Sequence, residues 1–130
     1  YVTFVCSLEE NIEEIDGKNL INKEIIRLSS IMYNTNLLDD KNKASRDTEY
    51  VNMIKNFIIA TDNFLVYRPS FALNTIIAGY PWFLDWGRDT LISFEGLLLK
   101  TRRFKEAKEV LLTSVRDIKY GLVPNRIFWI

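Results

Sequence analysis

Two stretches in the first half of the chain place apolar residues three and four positions apart, which is the spacing of one helix face. The first covers residues 18–33 and predicts an amphipathic helix. The second follows Asp47, a residue suited to the N-cap position, and predicts a helix of about four turns that ends before Arg68-Pro69. Between them, the polar segment 34–47 has no apolar period and predicts an exposed connection.

Short runs rich in β-branched and aromatic residues predict strands. Residues 1–8 predict one strand with no partner nearby. The acid-rich residues 9–16 predict either a solvated turn or the first turn of the helix that follows. Residues 64–67 and 75–78 predict a small β-hairpin, because a Pro69-Ser70 turn separates them and Gly79 follows.

The second half of the chain predicts a helical hairpin, with helices over 89–100 and 104–118 joined by a short turn at 101–103. Gly121 and Pro124 are expected to end the second of these helices, and Gly96 predicts close helix packing. The second helix of this pair should bury one apolar face, made of Ala107, Val110, Leu111, Val115 and Ile118.

The amino-acid composition then excludes several kinds of functional site and structural feature. The 130 residues contain 17 basic and 17 acidic side chains, no His and one Cys. Imidazole catalysis and an internal disulfide are therefore excluded for these residues, and the zero net charge does not favour a strongly basic nucleic-acid binder. No apolar run approaches the roughly 20 residues that a membrane helix needs. Carboxylates, Arg, Lys, hydroxyls and aromatic faces remain.

Aromatic and charged residues are concentrated just before the helix predicted at 89–100. Four aromatic residues fall within seven positions: Tyr80, Trp82, Phe83 and Trp86. They alternate with Asp85, Arg88 and Asp89, and such a mixture suits a sugar, whose ring stacks on aromatic faces and whose hydroxyls bind charged groups. The alternative is a packed hairpin in which Asp89 caps the helix and Arg88 pairs with Asp85. On composition alone, this alternative is the stronger interpretation.

Asp85 and Asp89 are four positions apart, which in a continuous helix would place two carboxylates side by side, as glycoside hydrolysis requires. Gly87 lies between them and disfavours a continuous helix through Asp85. We therefore do not assign this pair as acid and base.

The string TIIAGYPWFLDWGRDT at 75–90, followed by GLVPNR at 121–126, resembles the amylo-α-1,6-glucosidase part of glycogen debranching enzymes. The resemblance covers about residues 57–126, and residues 1–28 resemble the junction that follows a β-sandwich in bacterial and archaeal members. It implies a mainly α fold, the start of an (α/α)6 toroid of the six-hairpin glycosidase type, with a short β-hairpin and an N-terminal strand from the preceding β-sandwich.

The same resemblance implies three segments: residues 1–16 as the end of the β-sandwich domain, 17–46 as a linker helix with an exposed loop, and 47–130 as the N-terminal part of the catalytic domain. A toroid of twelve helices needs roughly 200 residues or more. We therefore expect an incomplete domain, a fragment of a larger enzyme.

Related glucoamylases hold the terminal glucose with a W-x-R-D segment, and residues 86–89 resemble it. The resemblance implies that Arg88 and Asp89 bind substrate and that Trp86 forms a pocket wall. Asn125 is a weaker substrate-binding candidate, since an Asn after Pro is as often a brace within a loop. The acid and base of the implied inverting mechanism are expected beyond residue 130, so this chain alone should be inactive.

No metal or organic cofactor is expected. The implied partner is glycogen or a branched α-glucan oligosaccharide in the cytoplasm, with no nucleic acid and no membrane. The alternative function is a noncatalytic glycan-binding or helical interaction module that keeps the aromatic and Arg-Asp residues without the acid and base.

Overall fold

The computed structural model describes residues 2, 4, 6, 16–35, 47–80 and 83–126. Within them the chain is mainly helical, with a π-helical turn at Glu95–Leu99 and one two-stranded antiparallel sheet. The elements are α1 (Gly17–Asn34), α2 (Thr48–Asp62), β1 (Leu65–Arg68), β2 (Leu73–Ile76), α3 (Gly87–Phe94) and α4 (Phe104–Arg116). None of the helices in these ranges is both long and apolar enough to span a membrane. Most of the strand predicted at 1–8 and the acid-rich turn after it lie outside the described residues.

The first two helices begin at acidic N-caps. Asp16 accepts hydrogen bonds from the backbone N–H groups of Lys18 and Asn19 at 3.0 and 3.2 Å, and Asp47 accepts one from Glu49 at 3.3 Å. Both caps satisfy N–H groups that have no partner within the helix. The helices predicted at 18–33 and after Asp47 are therefore confirmed, within one or two residues at their starts.

Little of the predicted connection at 34–47 can be compared, because residues 36–46 lie outside the described ranges. At its start, however, Thr35 is buried rather than exposed. Its hydroxyl donates to the carbonyl of Lys100 at 3.3 Å, which ties the end of α1 to the turn that follows α3.

The predicted β-hairpin is confirmed. Leu65 pairs with Ile76 and Arg68 pairs with Leu73, and beyond the strands the N–H of Ile77 donates to the carbonyl of Phe64 at 3.0 Å. The strands are shifted from the predicted ranges by one or two residues, as is usual for element ends.

The core forms where this hairpin packs against α4 and the π-helical turn. Its buried members come from all three elements: Ile76, Leu98, Ala107 and Val110. Polar contacts fix the same contact region, because Glu109 of α4 accepts from the backbone N–H and the side-chain amide of Asn74 at 3.2 and 2.6 Å. The hairpin, which precedes α3 in the sequence, is thus fixed to α4, which follows it.

The predicted packing face of α4 is half correct. Ala107 and Val110 are buried, whereas Leu111, Val115 and Ile118 are each 42–50% exposed. The buried face instead continues through Thr113 and Ser114. Their hydroxyls donate to helix carbonyls one turn earlier, at 3.1 and 2.9 Å, so they can be buried without an unsatisfied polar group.

The helix predicted at about 89–100 is confirmed, because α3 begins at Gly87, two residues before the predicted start, and the π-helical turn continues it to Leu99. Two further expectations were wrong. α4 ends at Arg116, and Gly121 (φ 79°) instead forms a tight turn between Lys119 and Leu122. A Cβ on Gly96 would meet no described atom within 4 Å, so close packing does not explain this glycine.

One carboxylate joins α1, α2 and the start of α4. Asp62 accepts hydrogen bonds from Arg27 at 2.5 Å and from Arg103 at 2.6 Å. Burial by itself would raise the pKa of Asp62, but the hydrogen bonds from the two guanidinium groups outweigh it and hold the pKa below its usual range.

The lowered pKa of Asp62 predicts acid sensitivity. A carboxyl whose pKa is lower in the folded state stabilises the fold above its unfolded pKa of about 3.9, and this contribution is lost as pH falls through the folded value. Asp62→Asn should therefore reduce the free energy of unfolding by about 1 to 3 kcal/mol at neutral pH, and the difference should shrink as pH falls below about 4. Urea unfolding over a pH series measures it. A difference that stays constant with pH would contradict the prediction.

The turn after α4 predicts a stabilising substitution. Tyr120 has φ 54° and the next residue, Gly121, has φ 79°. The side chain of Tyr120 is fully exposed, so burial of the ring does not offset the backbone strain. Asn and Gly suit two successive positive φ values, whereas other side chains are strained there. Tyr120→Asn should raise the free energy of unfolding by about 0.5 to 1 kcal/mol in urea unfolding. Tyr120→Ala, which removes the ring without relieving the strain, should give no gain; an equal gain in both would count against strain as the cause.

Candidate functional site

The residues predicted to bind substrate lie at the beginning of α3. Trp86 is the extended N-cap residue, and Arg88 and Asp89 lie in the first helical turn. A carboxylate in the first turn is favoured by the positive end of the helix dipole, so Asp89 is at a suitable place for an ionised group.

The loop at 122–126 crosses the start of α3 at backbone contact. A Cβ on Gly87 would lie 2.3 Å from the carbonyl oxygen of Pro124, a distance that no side chain permits. In the same place the N–H of Gly87 donates to the carbonyl of Asn125 at 2.8 Å, and Trp86 and Arg126 form an antiparallel bridge. Gly87 is therefore required by a close approach of two backbones.

Asn125 supplies the side-chain cap of α3. Its Oδ1 accepts a hydrogen bond from the backbone N–H of Arg88 at 3.0 Å, across a sequence separation of 37 residues. The alternative interpretation, in which Asp89 caps this helix, is therefore wrong. Asn125 acts here as the loop brace that was one of its two possible roles, and its Oδ1 is already engaged.

Asp85 is buried and forms an ion pair with Arg68, the last residue of β1, whose side chain is partly exposed. Arg68 donates to the two carboxylate oxygens of Asp85, from Nη2 at 2.6 Å and from Nε at 3.3 Å. The expected pairing of Asp85 with Arg88 is wrong. The rejection of a continuous helix through Asp85 is correct, because α3 begins at Gly87. No feature of the local sequence identified Arg68 as the partner.

Arg88 and Asp89 line two adjacent clefts. Arg88 faces a cleft of about 620 Å³ and Asp89 faces one of about 330 Å³, and Ile92 lines both. The larger cleft is completed by Gly87, Leu91, Val123 and Asn125. The smaller is completed by Phe64, Ile76, Ile77, Ala78, Ser93 and Leu97. Among the described residues that line the two clefts, Asp89 is the one carboxylate.

The aromatic residues of the segment that precedes α3 differ in their exposure. Tyr80 and Phe83 are 66% and 58% exposed, Trp86 is half-buried, and Trp82 lies outside the described residues. The interpretation as a packed aromatic core is therefore wrong for Tyr80 and Phe83. A sugar ring and its hydroxyls require flat apolar faces beside Arg donors and Asp acceptors. Tyr80, Phe83 and Trp86 are not among the described residues that line the two clefts, so the structure brings Arg88 and Asp89, but not these aromatic faces, to the cleft walls.

Over the described part of the chain, no group of three or more His, Cys, Asp or Glu side chains comes close enough together to hold a metal ion.

Gly87 and Gly96 provide a matched pair of glycine substitutions. Gly87→Ala forces a Cβ against the Pro124 carbonyl and should lower the free energy of unfolding by about 3 kcal/mol. Gly96→Ala places the same methyl group in open space and should be neutral or stabilising by up to about 1 kcal/mol. Thermal and urea unfolding of both variants test this. Equal stability of the two would contradict the close approach of the loop to α3.

Comparison with known proteins identifies the family of the chain. The family described as "Amylo-alpha-1,6-glucosidase" matches residues 59–128, which is more than half of the chain and includes both the start of α3 and the loop that crosses it. A glycogen debranching enzyme of Saccharomyces cerevisiae is 45% identical over 56 residues, which cover 39% of this chain and 4% of that protein. No solved structure matches. With more than half of its length matched, from α2 to beyond Asn125, the chain belongs to the amylo-alpha-1,6-glucosidase family.

Proposed function

We propose that this chain is part of a glycogen debranching enzyme that hydrolyses the α-1,6-linked glucose at branch points, and that it supplies one side of the pocket for that glucose. One observation carries the proposal. Arg88 and Asp89 lie side by side at the start of a helix braced by a distant loop, and within the described residues neither charged group forms an ion pair. Both lie inside the segment that matches the family.

In this proposal each group has a limited task. The Arg88 guanidinium donates to sugar hydroxyls, the Asp89 carboxylate accepts from them, and Trp86 forms a wall for the apolar ring face. Asn125 keeps only its side-chain N–H groups for a hydroxyl, since its Oδ1 caps α3. These groups bind and orient the glucose.

The hydrolytic step requires two carboxyl groups, one to protonate the glycosidic oxygen and one to activate water on the opposite face. Because Asp89 is the one carboxylate among the described cleft-lining residues and Asp85 is engaged by Arg68, we assign the acid and base to residues beyond 130. The reaction is then a single displacement with inversion, and this chain alone is inactive.

The proposed fold of the complete domain is an (α/α)6 toroid, of which α2 to α4 form the start. An apolar groove of about 550 Å³ on α4 supports this assignment. The groove is lined mainly by large apolar side chains: Phe94, Leu99, Phe104, Leu111, Leu112 and Val115. Apolar surface of this kind is normally covered by neighbouring elements, and further toroid helices would cover it. The proposed partner is glycogen or a branched α-glucan, in the cytoplasm.

Substitution of the two proposed glucose ligands tests this function in the full-length protein. Arg88→Ala or Asp89→Asn should lower kcat/KM for glucose release from a limit dextrin by about ten- to several-hundred-fold, because hydrogen bonds to charged groups contribute roughly 1.5 to 3 kcal/mol each. The melting temperature should change little, since Asn125 rather than Asp89 caps α3.

Asp117→Asn is the matched control, because Asp117 is a carboxylate that pairs with Arg116 at the end of α4, away from the clefts. It should leave kcat/KM unchanged. Unchanged kcat/KM in both ligand variants would refute the binding assignment, and the noncatalytic module would be favoured if the natural protein bound the glucan without releasing glucose. A loss far beyond a thousandfold in Asp89→Asn, with unchanged binding, would instead assign Asp89 as the catalytic acid.

A further inference from the structure

Asp85 is a buried charged group without a task in the proposed glucose contacts. Its carboxylate has no exposed surface, and it lies immediately before Trp86 in the segment that leads into α3. We propose that Asp85, through its ion pair with Arg68, is a positioning residue that fixes residues 83–86 and thereby aims Arg88 and Asp89 into their clefts. The inference rests on the proposed function of those two residues as glucose ligands.

The ion pair between Arg68 and Asp85 is bidentate, and we call this contact the clamp. Nη2 and Nε of Arg68 reach different oxygens of Asp85, at 2.6 and 3.3 Å. A two-point contact fixes the plane of the carboxylate as well as its distance, which a single contact does not. Since Arg68 ends β1 and β1 pairs with β2, the clamp connects the segment to the hairpin that forms part of the core.

Backbone hydrogen bonds hold the same segment from its other side. The N–H of Ala78 donates to the carbonyl of Leu84, and the N–H of Phe83 donates to the carbonyl of Gly79, both at 3.1 Å. These bonds fix residues 83 and 84 on the end of the hairpin. Asp85 is the next residue, so its side chain extends the attachment to the point where the chain turns into α3.

A displacement at Asp85 is passed on over a short distance. Only Trp86 and Gly87 separate it from Arg88, and the N–H of Gly87 is itself fixed by the carbonyl of Asn125 at 2.8 Å. The start of α3 is thus attached to the hairpin on one side and to the 122–126 loop on the other. Loss of one attachment should shift both glucose ligands together, and a shift of about 1 Å can lower a rate by about a hundredfold.

The test uses Asp85→Asn in the full-length protein, with glucose release from a limit dextrin as the assay. We expect kcat/KM to fall by about ten- to a hundredfold at temperatures where circular dichroism shows the variant folded. In a background that carries both Arg88→Ala and Asp89→Asn, the same substitution should cost less than about threefold more, because both ligands through which Asp85 acts have already been removed. A merely structural residue would lower the melting temperature and leave kcat/KM of the folded protein unchanged.

Two further variants complete the test. Arg68→Lys keeps the charge but replaces the two-point contact by a single donor, so it should also lower kcat/KM, and it decides the matter if Asp85→Asn does not fold. Asp62→Asn removes a different carboxylate that is held by two Arg side chains, Arg27 and Arg103, and has no part in the contacts of residues 83–86, so it should leave kcat/KM of the folded protein unchanged.

The outcomes separate the two proposals. If the natural protein releases glucose but the folded Asp85→Asn and Arg68→Lys variants keep its kcat/KM, the positioning role is wrong and the proposed function stands. A full additional loss in the background that lacks both glucose ligands would also refute action through them. If the natural protein releases no glucose, the proposed function fails and this inference fails with it.

Discussion

The ion pair between Asp85 and Arg68 is the constraint on which the placement of the candidate site depends. Moving an isolated carboxylate into a protein interior costs several kcal/mol, so a carboxylate with no exposed surface is stable only where donors are already in place. Arg68 is in place because β1 pairs with β2 and the hairpin packs on α4. The position of residues 83–86 is therefore set by the hairpin, and α3 starts where that segment ends.

The second constraint on α3 comes from the other direction along the chain. Gly87 admits the Pro124 carbonyl because it has no Cβ, and Asn125 then caps the helix through the backbone of Arg88. The cap depends on this close approach, because the side chain of Asn125 can reach the backbone of Arg88 only if the loop crosses α3 at Gly87. The two strings that carry the family resemblance, one around Trp86 and one ending at Asn125, are thus two halves of one structural unit.

The sequence predicted the structural features that depend on neighbouring residues, but it did not predict contacts between residues that are far apart in the chain. The cap at Asp47, the hairpin and the order of the helices follow from spacing over a few residues, and these predictions are confirmed. The partner of Asp85 and the cap of α3 were missed because Arg68 and Asn125 are far from them in sequence. The site residues Arg88 and Asp89 were located by the family resemblance, and their binding role stays a prediction. A pairing of the GLVPN loop with a helix start could have been considered, since an Asn whose partner is not local is a candidate cap for another element.

Asp89 differs from Asp62 and Asp85 in the groups that surround its carboxylate. Asp62 and Asp85 each have Arg donors within 2.6 Å, so both carboxylates form ion pairs within the protein. Asp89 is exposed beside a cleft in the first turn of α3, and it forms no ion pair among the described residues. An ionised carboxylate with free lone pairs can accept hydrogen bonds from sugar hydroxyls, whereas one bound by a guanidinium cannot do so fully. The fold therefore pairs arginine with the carboxylates that hold it together, whereas the carboxylate that faces the cleft forms no ion pair among the described residues.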